Sequence, residues 1–173
     1  MNRNILKYTE TLLLLMLLTG CSISYRFNGA TIDYTKLRTI SIENFPNRAR
    51  IVYTPLSQSF TQGLQDVFTR QTRLNMVMSG GDIEIDGEIT GYDIQDMGVS
   101  ASDSYRSETR ITLTVKVRYT NNAEPEQNLE QSFSVNKTFD NTTTILDDAQ
   151  SQLIPVMIEE LADMIFNATV GRW

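Results

Sequence analysis

Few side chains in this 173-residue sequence could do chemistry, because it has one cysteine, Cys21, and no histidine. Without histidine there is no Ser-His or Cys-His nucleophile, no His-centred metal site and no side chain with an ordinary pKa near neutrality. A single cysteine likewise excludes an internal disulfide and a zinc knuckle. What remains is carboxylate and guanidinium chemistry. Glu84, Asp86 and Glu88 are one candidate acid set. Their spacing of two points all three the same way on a strand, beside bases, where they are solvated; a working acid/base pair needs a cleft that pushes two pKa values apart. No catalytic residue, metal or cofactor is expected, and the chain reads as a non-enzyme. Guanidinium groups can instead pair bidentately with phosphate. The candidates are Arg48 and Arg50, before the first helix, and Arg106 and Arg110, beside Tyr105 near the end of an irregular stretch from Gln95 to Arg106. Each also fits an ordinary surface residue, and Asp96 and Asp103 in the same stretch weaken a basic site. The net charge of -6 argues against nucleic acid, whose phosphates need a basic stripe.

Residues 1–20 stand apart. Arg3 and Lys7 precede an unbroken apolar run from Leu12 to Leu18, followed by Thr19, Gly20 and Cys21. The run is shorter than the roughly 18 to 20 apolar residues of a spanning helix, so it reads as a secretory signal. Leu18-Thr19-Gly20-Cys21 resembles the bacterial lipobox, which implies removal of residues 1–20 and a lipidated Cys21. Acyl chains anchor by burying methylenes at about 0.8 kcal/mol each, so the mature chain is expected to be tethered to a membrane. Ser22 stands where many inner-membrane lipoproteins carry Asp, which points to the outer membrane, facing the periplasm.

The elements that must position the candidates follow. Residues 21–35 form a tether and 36–173 one domain. Leu37, Ile40 and Ile42 mark a half-buried strand, ended by Phe45-Pro46. Thr54 and Pro55 predict a helix cap and first helical position, with Leu56, Phe60, Leu64, Val67 and Phe68 on one stripe. Ile83 to Thr90 alternates apolar and acidic residues, while Arg110 to Tyr119 alternates basic or hydroxyl residues with apolar ones. Paired antiparallel, these strands place acids beside bases, and a one-residue slip would bury the charges. Leu129, Phe133, Val135 and Phe139 mark a third strand, expected at an edge. A last helix carries Leu146, Leu153, Val156, Met157, Leu161, Met164 and Ile165, with a break or bend expected near Ile154 because Pro155 lies inside it. Gly171 is expected to close it. The order β-α-β-β-β-α predicts an α+β fold, two helices packed on one face of a mixed four-stranded sheet.

The sequence resembles the LptE family of lipopolysaccharide-assembly lipoproteins. The residues that carry the resemblance are Gly20-Cys21, Ser24 to Gly29, Ile40 to Phe45, Pro55-Leu56, Gly87 to Tyr92 and the closing helix. The resemblance implies an outer-membrane lipoprotein, lipid-anchored on the periplasmic side and seated in a barrel lumen. There it would plug and help assemble the large β-barrel of the lipopolysaccharide-transport machinery, and assist delivery of lipopolysaccharide to the cell surface. Arg48, Arg50, Arg106, Arg110 and Tyr105 would then be the candidate contacts to lipopolysaccharide or to the barrel. A barrel lumen is polar, so a plug should turn a polar surface outward; any solvated sheet face does the same. The alternative is another periplasmic lipoprotein adaptor, either a barrel-assembly accessory or a cell-wall-binding module.

Overall fold

Alternation of apolar and polar residues sets the strands, and the computed structural model, which describes residues 32–97 and 107–171, bears this out most fully in the middle of the chain. The elements in chain order are β1 (Thr39–Ile42), α1 (Leu56–Gln71), β2 (Asn75–Val77), β3 (Ile83–Met97), β4 (Glu108–Asn121), β5 (Leu129–Asp140) and α2 (Leu146–Thr169). They build one mixed sheet in the order β2-β1-β3-β4-β5, with β1 parallel to β2 and β3, and the other pairs antiparallel. The fold is α+β, two helices against a sheet whose apolar face they cover.

The sheet has five strands where four are expected. The extra one is β2, paired through Thr39↔Asn75, Ile40↔Met76 and Ser41↔Val77. Three residues are too few to show a period of two, and Asn75 and Met76 are both exposed, so no burial pattern marks the strand. The hairpin of β3 and β4 is also longer than expected. Gln95, Asp96 and Met97 belong to β3, and Glu108, Thr109 and Arg110 belong to β4. The phase of β3 shifts at a bulge between Ile89 and Gly91, which lets both Ile89 and Tyr92 point into the core.

On α1 the stripe Leu56, Phe60, Leu64, Val67 and Phe68 is buried throughout. The helix starts one residue later than expected. Pro55 occupies the cap, while the Leu56 and Ser59 amides donate to the carbonyls of Tyr53 and Pro55. α2 runs unbroken through Pro155, so the break expected near Ile154 does not occur. Its inward stripe also differs from expectation. Ile154, Ile158 and Phe166 are buried, whereas Leu146, Val156 and Met164 remain exposed. Phe68 meets Phe166 edge-on across the two helices, with ring centres 5.3 Å apart, and Phe45 meets Phe60 in the same way at 5.1 Å. Asp82 ties the starts of β1 and β3 together. Its carboxylate accepts the backbone N–H of Arg38 and Thr39 and the Thr39 hydroxyl, which together hold its pKa below the usual carboxylate range.

Candidate functional site

The outer face of the sheet carries the charges. On β3, β4 and β5 the register sets Asp86 beside Arg118 and Arg118 beside Glu130, and one step along sets Glu88 beside Lys116. The acidic and basic faces therefore meet as the alternation predicts. Arg118 Nη2 lies 2.9 Å from Asp86 Oδ1, and Lys116 Nζ lies 2.5 Å from Glu130 Oε1. Hydrogen bonding and charge in the second pair hold Glu130 below the usual carboxylate range and raise Lys116 above the usual ammonium range. That is the opposite of what a general acid needs at neutral pH. Glu84 accepts a hydrogen bond from Asn122 instead. Asp86, Glu88, Lys116, Arg118 and Glu130 line a shallow depression of about 190 Å³ together with Gly87 and Val117. Its chemistry is a lattice of paired surface charges, suited to meeting another polar surface.

Arg48 and Arg50 sit on a loop pinned against β3. The Ile89 amide donates to the Pro46 carbonyl at 3.0 Å, and the Arg48 amide donates to the Ile89 carbonyl at 2.8 Å. Asn47 thus extends the line of β1 by an isolated parallel bridge to Ile89, while Ala49 is buried beneath the loop. Both arginine side chains are exposed. Arg110 is different. It stands on the outer face of β4 between Gln95 and Thr138, half-buried, and its Nε is shielded from solvent without a hydrogen-bond partner among the described residues.

The structure does not gather these arginines into one cluster. Ile89 and Gln95 are six residues apart on β3, or about 20 Å at strand spacing, so the Arg48 loop and Arg110 form two separate positive positions. Cys21, Tyr105 and Arg106 lie outside the described residues. A second concavity, of about 350 Å³, lies between the helices and includes Tyr53, Gln62, Asp66, Ser151 and Pro155. Gln150 also lines it, and its buried amide donates to the Tyr92 hydroxyl at 2.7 Å. Nothing in the helical periodicity marks this groove, because its polar members occupy positions that read as solvated helix faces.

Residues 37–169 match the model of the LptE, lipopolysaccharide-assembly, family. The chain belongs to the LptE family. The match spans β1 through the last residue of α2, so the sheet face, the arginine loop and Arg110 all lie within it. Among curated proteins, no sequence matches the chain. Solved structures share the fold at low identity. A minor lipoprotein from Acinetobacter baumannii superposes with a TM-score of 0.50 at 13% identity, covering 78% of this chain and 91% of that one. Rare lipoprotein B from Shewanella oneidensis gives 0.50 at 11% identity, covering 76% and 92%. Hypothetical protein CT253 from Chlamydia trachomatis gives 0.52 at 9%, covering 78% and 96%. At such identities the likeness speaks for the fold alone. In this LptE-family chain, then, β3, β4 and β5 present a charged surface, with two separate arginine positions beside it. Family membership places it in lipopolysaccharide assembly.

Proposed function

We propose that the chain is an outer-membrane lipoprotein whose domain, residues 36–173, plugs the β-barrel of the lipopolysaccharide-transport machinery. In this reading residues 1–20 are removed, Cys21 is lipidated, and residues 21–35 tether the domain to the periplasmic leaflet. The domain helps the barrel assemble and assists delivery of lipopolysaccharide to the cell surface, without catalysis. The family match over residues 37–169 carries the reading. The outer sheet face fits it, because a barrel lumen is polar and accepts a surface whose charges are already paired. Arg110, whose shielded Nε has no hydrogen-bond partner among the described residues, is the described candidate for a phosphate or barrel contact, and exposed Arg48 and Arg50 are the others. Arg106 and Tyr105 complete the proposed contact set.

The test is to extract native membranes in mild detergent, capture the protein through a tag after Trp173, and identify what co-purifies. A stoichiometric large outer-membrane barrel of the lipopolysaccharide-transport type is the expected result. Recovery with a cell-wall or general barrel-assembly component would transfer the function to the adaptor alternative. The anchor has its own test. Cys21→Ala is expected to release the protein from washed membranes, and its retention there would overturn the lipobox reading.

A further inference from the structure

β5 closes one side of the sheet, and among the described residues it pairs with β4 alone. A sheet edge presents a row of unpaired N–H and C=O groups, which proteins commonly blunt with proline, a bulge or charge. The stretch Gln131–Asn136 contains no proline, glycine or charged residue, and β4 and β5 pair without a shift of register. The charges that flank it are engaged within the chain. Glu130 pairs with Lys116 at 2.5 Å, and Lys137 reaches up to Glu160 of α2 at 2.6 Å. The groups that would ordinarily repel an incoming strand are thus neutralised in place.

We propose that a second copy of the chain closes this edge, β5 running antiparallel to its mate about a two-fold axis at Ser134. The register selects the occupant. An axis normal to the sheet keeps each residue opposite one from the same face. Centred at Ser134, it sets Phe133 against Val135 and Leu129 against Phe139, apolar on apolar, with Lys137 against Gln131 and Ser132 against Asn136. A centre at Val135 instead opposes Phe133 to Lys137, an apolar ring to a cation. A centre at Phe133 opposes Lys137 to Leu129 and Val135 to Gln131. Only the Ser134 centre of these three keeps apolar residues together. Val156 and Met164, one turn to either side of Glu160 on α2, are 50% and 38% exposed and give the same edge an apolar rim. The pairing stands on the edge itself, independently of the barrel reading. A chain enclosed by a barrel would release it, so the dimer is the form that has not met its barrel.

Cysteine cross-linking of the full chain, purified in mild detergent and separated from any co-purifying barrel, tests the register. Residues facing each other across antiparallel strands have Cα atoms about 4.5 to 5.5 Å apart, within disulfide reach. Ser134→Cys is expected to give a covalent dimer under mild oxidation. Ser132→Cys and the unsubstituted chain, which retains Cys21, are expected to stay uncross-linked, because Ser132 would lie four residues, about 13 Å, from its mate. The double variant Ser132→Cys, Asn136→Cys places the thiols opposite each other without altering Ser134 and should also cross-link. Failure of both designs in protein that keeps the wild-type melting temperature would overturn the proposal. Equal cross-linking of Ser132→Cys alone would overturn the register.

Discussion

Gly87 is where β3 passes beneath Phe45. A Cβ there would lie 2.1 Å from the Lys116 carbonyl oxygen and 2.7 Å from Phe45 Cε1, so the neighbouring strand and the ring against Phe60 must both move. Overpacking of this kind costs about 1 to 3 kcal/mol. Gly87→Ala is expected to lower the unfolding free energy by that amount, read as a lower denaturant midpoint at unchanged slope, and a wild-type midpoint would mean that the strand and the ring both yield freely. Asp82 sets a pH dependence. Its folded pKa is depressed by bonds from Arg38, Thr39 and the Thr39 hydroxyl. The stabilisation it gives is therefore present above its unfolded value, about 3.9, and is lost as pH falls through the folded value. Asp82→Asn should flatten the acid limb of the stability profile below about pH 4; an unaltered limb would place acid unfolding in other carboxylates. Neither role shows in the sequence, where Gly87 looks like one interruption in an alternating strand and Asp82 like a turn residue. Both depend on contacts across more than 25 residues, Gly87 with Lys116 and Asp82 with Thr39.

Among the elements, long periodic segments were the readable ones. The α1 stripe, the buried positions of β4 and the pairing of acids with bases across β3 and β4 follow from spacing, because each is set by a face that must be buried, while the edge position of β5 follows from Gln131 and Lys137 interrupting its apolar parity. β2 escaped because it holds its place through parallel backbone pairing with β1, without a buried face of its own. The bulge before Gly91 escaped because one inserted residue reverses the phase, so Tyr92 reads as outward until its hydrogen bond with Gln150 is seen. In α2, Pro155 predicts a break or bend, and the helix does not break there, with Ile154 and Ile158 on either side held in the core. Leu64 tests the packing of these layers. It is fully buried on α1, and an aspartate there would leave an unpaired charge costing several kcal/mol, set against a total stability of about 5 to 15. Leu64→Asp is expected to abolish cooperative unfolding; a retained sharp transition would mean that the helix can rotate this position to solvent.

At the scale of the whole molecule, the candidate site divides between what patterning reveals and what it cannot. The charged outer face was readable because strand parity places Asp86, Glu88, Lys116 and Arg118 together. The separation of Arg110 from the Arg48 loop was not, since it depends on Pro46 and Arg48 bonding to Ile89 rather than further along β3. The same division allows docking to be separated from folding. The Arg118–Asp86 and Lys116–Glu130 pairs are largely solvated, with side-chain exposures of 62% and 29% in the first and 48% and 54% in the second. Exposed pairs of this kind contribute little to folding, because water screens them. Lys116→Ala combined with Arg118→Ala should therefore leave the denaturant midpoint nearly unchanged. If this face meets the polar lumen of a barrel, the same double variant leaves Asp86 and Glu130 without their cations at the contact, and barrel recovered on the tagged protein should fall. A large loss of stability would make the face a folding device that fixes strand register. Unchanged stability with unchanged barrel recovery would move the docking surface elsewhere, with the helix groove beside Tyr53 and Pro155 next in line.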